Sequence, residues 1–97
     1  MTKFEWDETK NSKNISKHKI SFDDAKNIFD DKDRLQYIVN RDSERRYVTI
    51  GKAFQALLTV VHTTRNMVIR IISARRSKRN ERIDYISHKL TKKSGDE

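Results

Sequence analysis

Apolar residues recur at helical spacing near the start of the chain, at every second position from Arg34, and at helical spacing again after Ala74. In "WDETKNSKNISKHK" the pattern predicts a polar helix with Asp7 as N-cap, and Ile15 is nearly its only apolar anchor. Ser21 and Asp24 fit a capping box, Ile20 and Ala25 can staple the helix start, and Phe22, Ala25, Ile28 and Phe29 share one face, predicting a short helix over about 22–29. "RLQYIVN", "RRYVTIGKA", "FQALLTVVHTT" and "MVIRIISAR" are rich in β-branched and aromatic residues and read as four strands. Their connections, "RDSE", "GKAF" and "TRN", are short enough to require antiparallel hairpins. Ile83, Ile86 and Leu90 then predict a C-terminal helix from about Ser77 to Leu90, packed back on the sheet. The expected architecture is α+β, with two N-terminal helices, a four-stranded antiparallel sheet and a C-terminal helix. A length of 97 residues without an internal repeat predicts one domain, with a core over about 4–90 and a flexible tail over 91–97.

Strand parity singles out an arginine. In "MVIRIISARR" the residues Met67, Ile69 and Ile71 point one way, and Val68, Arg70, Ile72, Ala74 and Arg76 the other. With helices covering the Ile69 and Ile71 side, Arg70 stands on the open face, where its guanidinium can hold a phosphate bidentately. Lys78 and Arg79 follow at the start of the C-terminal helix, where cations are unfavourable by up to ~1 kcal/mol unless an anion meets them and the free backbone N–H groups. Arg70, Arg75 and Arg76 are expected to converge on such an anion. The plainer alternatives are a carboxylate partner for Arg70 and side chains that splay into water.

The charge distribution agrees. The chain carries a net +8, but residues 1–44 hold nine Lys/Arg against ten Asp/Glu, a net of −1, and residues 45–97 hold thirteen against four, a net of +9. A surface of one sign raises the local concentration of oppositely charged ligands, so a polyanion or an acidic protein is the expected partner. There is no cysteine, hence neither a disulfide nor a thiolate metal site, and His18, His62 and His88 lack metal-motif spacing. "MTKFEWDETK" is too polar for a signal sequence, and no apolar run approaches the ~20 residues of a membrane span. A cytoplasmic protein without membrane contact, metal or other cofactor is expected.

"FEWDETK", "KHKISFDDA", "RRYVTIG" and "VVHTTRNMVIRIISARRSKRNER", with Tyr85 after them, resemble the BrnT-type toxins, the ribonuclease halves of bacterial type II toxin–antitoxin pairs. The resemblance runs in order from about Phe4 to Tyr85. It departs at Lys19, where the family tends to have Gly, and at Lys32, where it tends to have Pro; Lys19 would then place a non-glycine residue at a helix C-cap. The resemblance implies a RelE-like fold and RNA cleavage without a metal, in which the 2′-hydroxyl attacks its own phosphodiester and the enzyme stabilises an extra-charged phosphorane. Arg46, Arg70 and Arg75 or Arg76 would surround the phosphate, with His62 and Glu81 as acid/base candidates and Tyr85 as a stacking or proton-donating group. Arg45, Lys78, Arg79 and Arg82 would contact the RNA elsewhere. The implied partners are RNA and a BrnA-type antitoxin carrying a ribbon-helix-helix part, through which alone operator DNA would be reached.

Each proton-transfer candidate also has a structural explanation. His62 shares parity with Leu58 and Val60, Glu81 can pair with Lys78 or Arg82 on its own helix, and Tyr85 can pack beside Ile86. Phe4 and Trp6 are expected to anchor the N-terminus. Two other functions fit the same basic face: a nonenzymatic nucleic-acid-binding module, and a protein-interaction subunit that receives an acidic partner.

Overall fold

The computed structural model describes residues 2–95, with side chains through Lys92. Helix α1 spans Glu8–His18, capped by Asp7, whose carboxylate accepts from the Thr9 and Lys10 N–H groups at 2.8 and 3.1 Å. Its C-cap is Lys19 in the left-handed region, at φ 61°. Helix α2, Phe22–Ala25, starts at Ser21, whose hydroxyl accepts from the Asp24 N–H, and runs into a 3-10 helix over Lys26–Asp30. Phe22, Ala25 and Ile28 are buried, as their shared face predicts.

The sheet has five strands, not four. Strands β2 (Leu35–Arg41), β3 (Glu44–Ala53), β4 (Ala56–Arg65) and β5 (Val68–Arg76) form the expected antiparallel meander, but β1 (Lys3–Glu5) adds a parallel strand along β5. The spatial order is β1-β5-β4-β3-β2, a mixed sheet. A three-residue strand is too short for an alternation signal, and its partner lies 65 positions away. Phe4 within it and Trp6 just after it pack on Phe29 and Phe22, anchoring the N-terminus.

Ile15 is exposed, so α1 is not held by an apolar anchor. Buried Asn14 holds it instead. The Asn14 amide donates to the carbonyls of Ile20 and Ala74 at 2.9 and 2.8 Å, and its oxygen accepts from the Ala74 N–H at 3.1 Å. Since β1 pairs with β5 only at Val68–Arg70, the carboxamide acts as a one-residue strand further along the same edge.

Each hairpin turns on two residues with positive φ, Asp42–Ser43, Phe54–Gln55 and Asn66–Met67, as type I′ geometry requires, and none is glycine. The second turn therefore takes in only Phe54 of the expected "GKAF", whose Gly51 remains inside β3. A Cβ at Gly51 would stand 2.8 Å from the Ile28 Cβ and 3.0 Å from its carbonyl oxygen, so the missing side chain is what lets the 3-10 helix lie on the strand. The main core joins Phe22, Ala25 and Ile28 to Leu58, Val60, Ile71 and Ala74 on this helix-covered face.

Helix α3 runs over Arg79–Gly95, five residues past the predicted end at Leu90, so most of the expected tail is helical; Asp96 and Glu97 lie outside the described residues. It crosses the opposite face of the sheet, but not on its apolar stripe. Ile83, Ile86 and Leu90 point to solvent at 52, 51 and 61 % exposure, while Glu81 and Tyr85 are buried. Polar contacts hold it: the Tyr85 hydroxyl donates to Asp31 at 2.6 Å, Lys89 pairs with Asp33, and Lys92 donates to the Lys32 carbonyl.

Two substitutions should move stability in opposite directions. Lys19→Gly relieves the left-handed strain, partly offset by a looser unfolded chain, and is expected to raise stability by about 0.5–1 kcal/mol. Gly51→Ala pushes on a backbone carbonyl and should lower it by about 1–3 kcal/mol. Thermal midpoints of the two variants against the parent check both signs.

Candidate functional site

A β-bulge decides which side chains reach the open face. Val60 pairs with Ala74 but His62 with Ile71, so β5 carries one extra residue opposite the Val61–His62 step. Parity before the bulge is as expected, with Arg70 opposite Thr63 on the open face. Parity after it is inverted. Ala74 and Arg76 join Val60 and Leu58 on the helix-covered face, and Arg75 joins Thr59 on the open one. Arg75 and Arg76 thus point apart. Arg76 lines a cavity of about 200 Å³ with Lys19, Asp24 and Phe54, well away from Arg70.

On the open face, with the β3–β4 register carried one residue past its first pair Tyr47–His62, Val39, Arg46, Thr63, Arg70 and Glu5 align in one row across all five strands. Arg46 and Arg70 are two strands apart, roughly 10 Å between backbones. They line a cleft of about 590 Å³ together with Arg45, Arg65 and Lys10, against the two carboxylates of Glu5 and Glu44. Each inner arginine is tethered by one donor. Arg46 Nε donates to Glu44 at 2.8 Å and Arg70 Nη1 to Glu5 at 2.7 Å. Both carboxylates are exposed, with Arg70 half-exposed and Arg46 partly buried, so each pair is individually weak, and the remaining guanidinium donors have no protein partner among the described residues. An arriving phosphate would find oriented arginines that need not break a strong contact to receive it.

The start of α3 is differently built. Arg75 donates through both terminal nitrogens to Glu81, at 2.7 and 2.9 Å, and the same carboxylate accepts from the Lys78 N–H at 2.7 Å and the Thr59 hydroxyl at 3.2 Å. Ser77 Oγ lies 2.8 Å from Thr59 Oγ1 and completes the cluster. The anion anticipated at this helix N-terminus is therefore Glu81 itself. Arg75 first, then Lys78 and Thr59, hold its carboxyl down to about pH 2 despite burial. Lys78 and Arg79 are exposed around it, and Arg82 donates to the Ser77 carbonyl.

The remaining proton-transfer candidates face elsewhere. His62 is 2 % exposed on the helix-covered face, with Nε2 2.8 Å from Thr49 Oγ1, Phe29 edge-on and Tyr47 stacked. Its Nδ1 has no partner, and burial pushes the pKa down to about 4, so the ring is neutral at pH 7. Tyr85 is buried beneath α3; burial first, then the bond to Asp31, raises its pKa. Neither is brought to the arginines.

Sequence reasoning passed over Arg65, Lys10 and Tyr37. Arg65 and Thr63 share one parity in "HTTR", a signal that carrying the register across the β4–β5 hairpin would have exposed. Lys10 comes from α1 and gave none. Tyr37 stands half-exposed on the open face, one row from Arg46 toward Arg75; burial, then the charge of Glu81, raises its pKa.

The sequence matches the family described as the ribonuclease toxin, BrnT, of type II toxin–antitoxin systems over residues 6–81. The chain belongs to the BrnT family. The family match covers Arg46, Arg65, Arg70, Arg75 and Glu81, and stops before Tyr85 and most of α3. No curated protein matches the chain. Among the described residues, no cluster of three or more His, Cys, Asp or Glu could hold a metal ion, and no helix is long and apolar enough to cross a membrane.

The Glu81 network should be visible as acid sensitivity. Its folded pKa lies below the ordinary 4.5, so its stabilisation is complete above about pH 4.5 and fades as pH falls toward 2. Glu81→Gln should be less stable than the parent at neutral pH, by on the order of 2 kcal/mol, with the gap closing across that window. Urea unfolding of both proteins at a series of pH values measures it.

Proposed function

We propose that the chain is a toxin that cleaves RNA by metal-independent attack of the 2′-hydroxyl on the adjacent phosphodiester, arresting growth until an antitoxin neutralises it. What supports this most directly is the Arg46–Thr63–Arg70 row, open to solvent in a chain of a ribonuclease toxin family. Arg46 and Arg70 grip the scissile phosphate from two sides and stabilise the charge that grows on it. Arg65, Arg45 and Lys10 bind the flanking backbone. Tyr37 and Ile72 form the floor between Arg46 and Arg70 above and Arg75 below, and the phenol ring of Tyr37 offers a surface on which an unpaired base can stack. Arg75 and Glu81 shape the lower end of the face rather than exchange protons, because Glu81 is committed to four donors. The antitoxin is of BrnA type, and its ribbon-helix-helix part reads operator DNA on behalf of the pair.

A nonenzymatic RNA-binding module remains the second reading. None of His62, Glu81 and Tyr85 opens on the cleft as a free proton donor or acceptor, and a surface that only gathers phosphates needs none.

Incubating the pure protein with RNA in EDTA separates the two. New ends bearing 2′,3′-cyclic phosphate are expected; RNA retained intact by a protein that binds it would establish the module instead. Arg46→Ala and Arg70→Ala should each lose on the order of 10²-fold or more in cleavage rate, while Arg76→Ala, on the far face, should stay near the parent. Initial rates at equal folded concentration decide this.

His62 gives a third test. With a pKa near 4 it does not titrate between pH 6 and 8. The rate–pH profile of soluble His62→Gln is expected to keep the parent's shape over that range, and loss of an inflection near neutrality would return His62 to the reaction.

A further inference from the structure

α3 is a helix whose apolar side has been left outside. At about 100° per residue, Ile83, Ile86 and Leu90 fall within a sector of roughly 60°, on the opposite side from Glu81 and Tyr85. All three are more than half exposed, which makes a continuous apolar strip along two turns. Nothing about the fold requires them there, because the helix is fixed to the body by Glu81, by Tyr85 on Asp31, and by Lys89 and Lys92 on the loop before β2. The strip also lies past the residues that match the family.

The surroundings of the strip select its occupant. Arg79 lies in the same sector one turn earlier, Arg82 borders it, and Lys89 stands beyond, with Asp84 the one exposed carboxylate of this stretch. A second copy packed antiparallel across a two-fold axis would set Arg79 and Arg82 at the start of one α3 against the Lys89 end of the other, with no exposed carboxylate among the described residues of the strip to receive them as the apolar groups met. A partner with aliphatic residues at i, i+3 or i+4 and carboxylates on its flank meets no such repulsion.

We propose that the outward strip of α3 is the docking surface for the antitoxin, which lays an acid-flanked amphipathic helix along Ile83, Ile86 and Leu90. The proposal depends on the toxin assignment only for the existence of an antitoxin. From this seat the chain of the antitoxin continues past Arg79 and Lys78 onto the open face. Apolar contact on α3 then supplies lifetime, and the arginines supply the rate of encounter.

The experiment uses the antitoxin encoded with the toxin at its native locus, co-expressed and purified as the complex, then separated and titrated back calorimetrically. Ile86→Asp and Leu90→Asp change only exposed positions, and equal thermal midpoints confirm that the toxin still folds; Ile86→Ser provides a gentler version. Each Asp variant is expected to bind the antitoxin on the order of 10²-fold more weakly, with cleavage of RNA by the free toxin unchanged. Affinity unchanged in both variants overturns the proposal. So does a parent toxin that sediments as a dimer and becomes monomeric in Leu90→Asp, which would give the strip to a second copy. If the parent cleaves no RNA and the variants still lose the antitoxin, the docking surface stands and the ribonuclease reading falls.

Discussion

One extra residue in β5 governs the chemistry of both faces. Without the bulge opposite Val61–His62, a strand of constant parity would send Arg70 and Arg76 to one side and Arg75 to the other. The bulge places Arg70 and Arg75 together on the open face and returns Ala74 to the core, where a larger or charged group could not sit beside Val60. It also turns the outer edge of Ala74 toward Asn14, whose carboxamide satisfies both backbone groups there. The cleft, the core and the seat of α1 thus share a single irregularity.

Charge is handled in two regimes on that face. Around Arg46 and Arg70 the counter-charges are exposed and singly bonded, so water already competes with them and a phosphate can too. At the start of α3 the carboxylate is buried and fully bonded, and removing either partner would strand a charge. The first arrangement suits a surface that exchanges ligands, and the second suits a joint. Asp31 forms a similar joint one turn further along α3, beside β3. Burial alone would raise its pKa, but donors from Tyr85, Lys52 and Asp33 lower it, and through them α3, β3 and the loop before β2 meet at one carboxylate.

The meander, the capped helices and Arg70 on the open face were legible because each is a local pattern: alternation, a cap, a parity. What failed was non-local. β1 is three residues long and finds β5 across the whole chain; Asn14 looks like any polar helix residue until Ala74 lies next to it. The bulge leaves no mark in "VIRIISARR", so constant parity groups Arg76 with Arg70 and the expected convergence includes both Arg75 and Arg76, whereas only Arg75 shares the open face with Arg70. Helical periodicity correctly located α3 but misled on its packing, since apolar spacing says that a stripe exists and not which surface it meets. His62 shared parity with Leu58 and Val60, and that sign of a covered position outweighs the chemical attraction of a histidine in a ribonuclease. The exposed cleft arginines were partly legible, as Arg45, Arg46 and Arg70, while Arg65 and Lys10 required the register of the finished sheet.

The parallel course of β1 has a practical side. Lys3 lies beside Val68 and Glu5 beside Arg70, so any chain ahead of Lys3 leaves the sheet at the β4–β5 turn, on the lip of the cleft. A purification tag or fluorescent protein attached there occupies the approach of a long polyanion and adds its own charges to the basin. α3 leads the other way, along the loop before β2 at the far end of the sheet from the Glu44 and Arg45 rim. Immobilisation and labelling through that end leave the arginines as the molecule itself presents them.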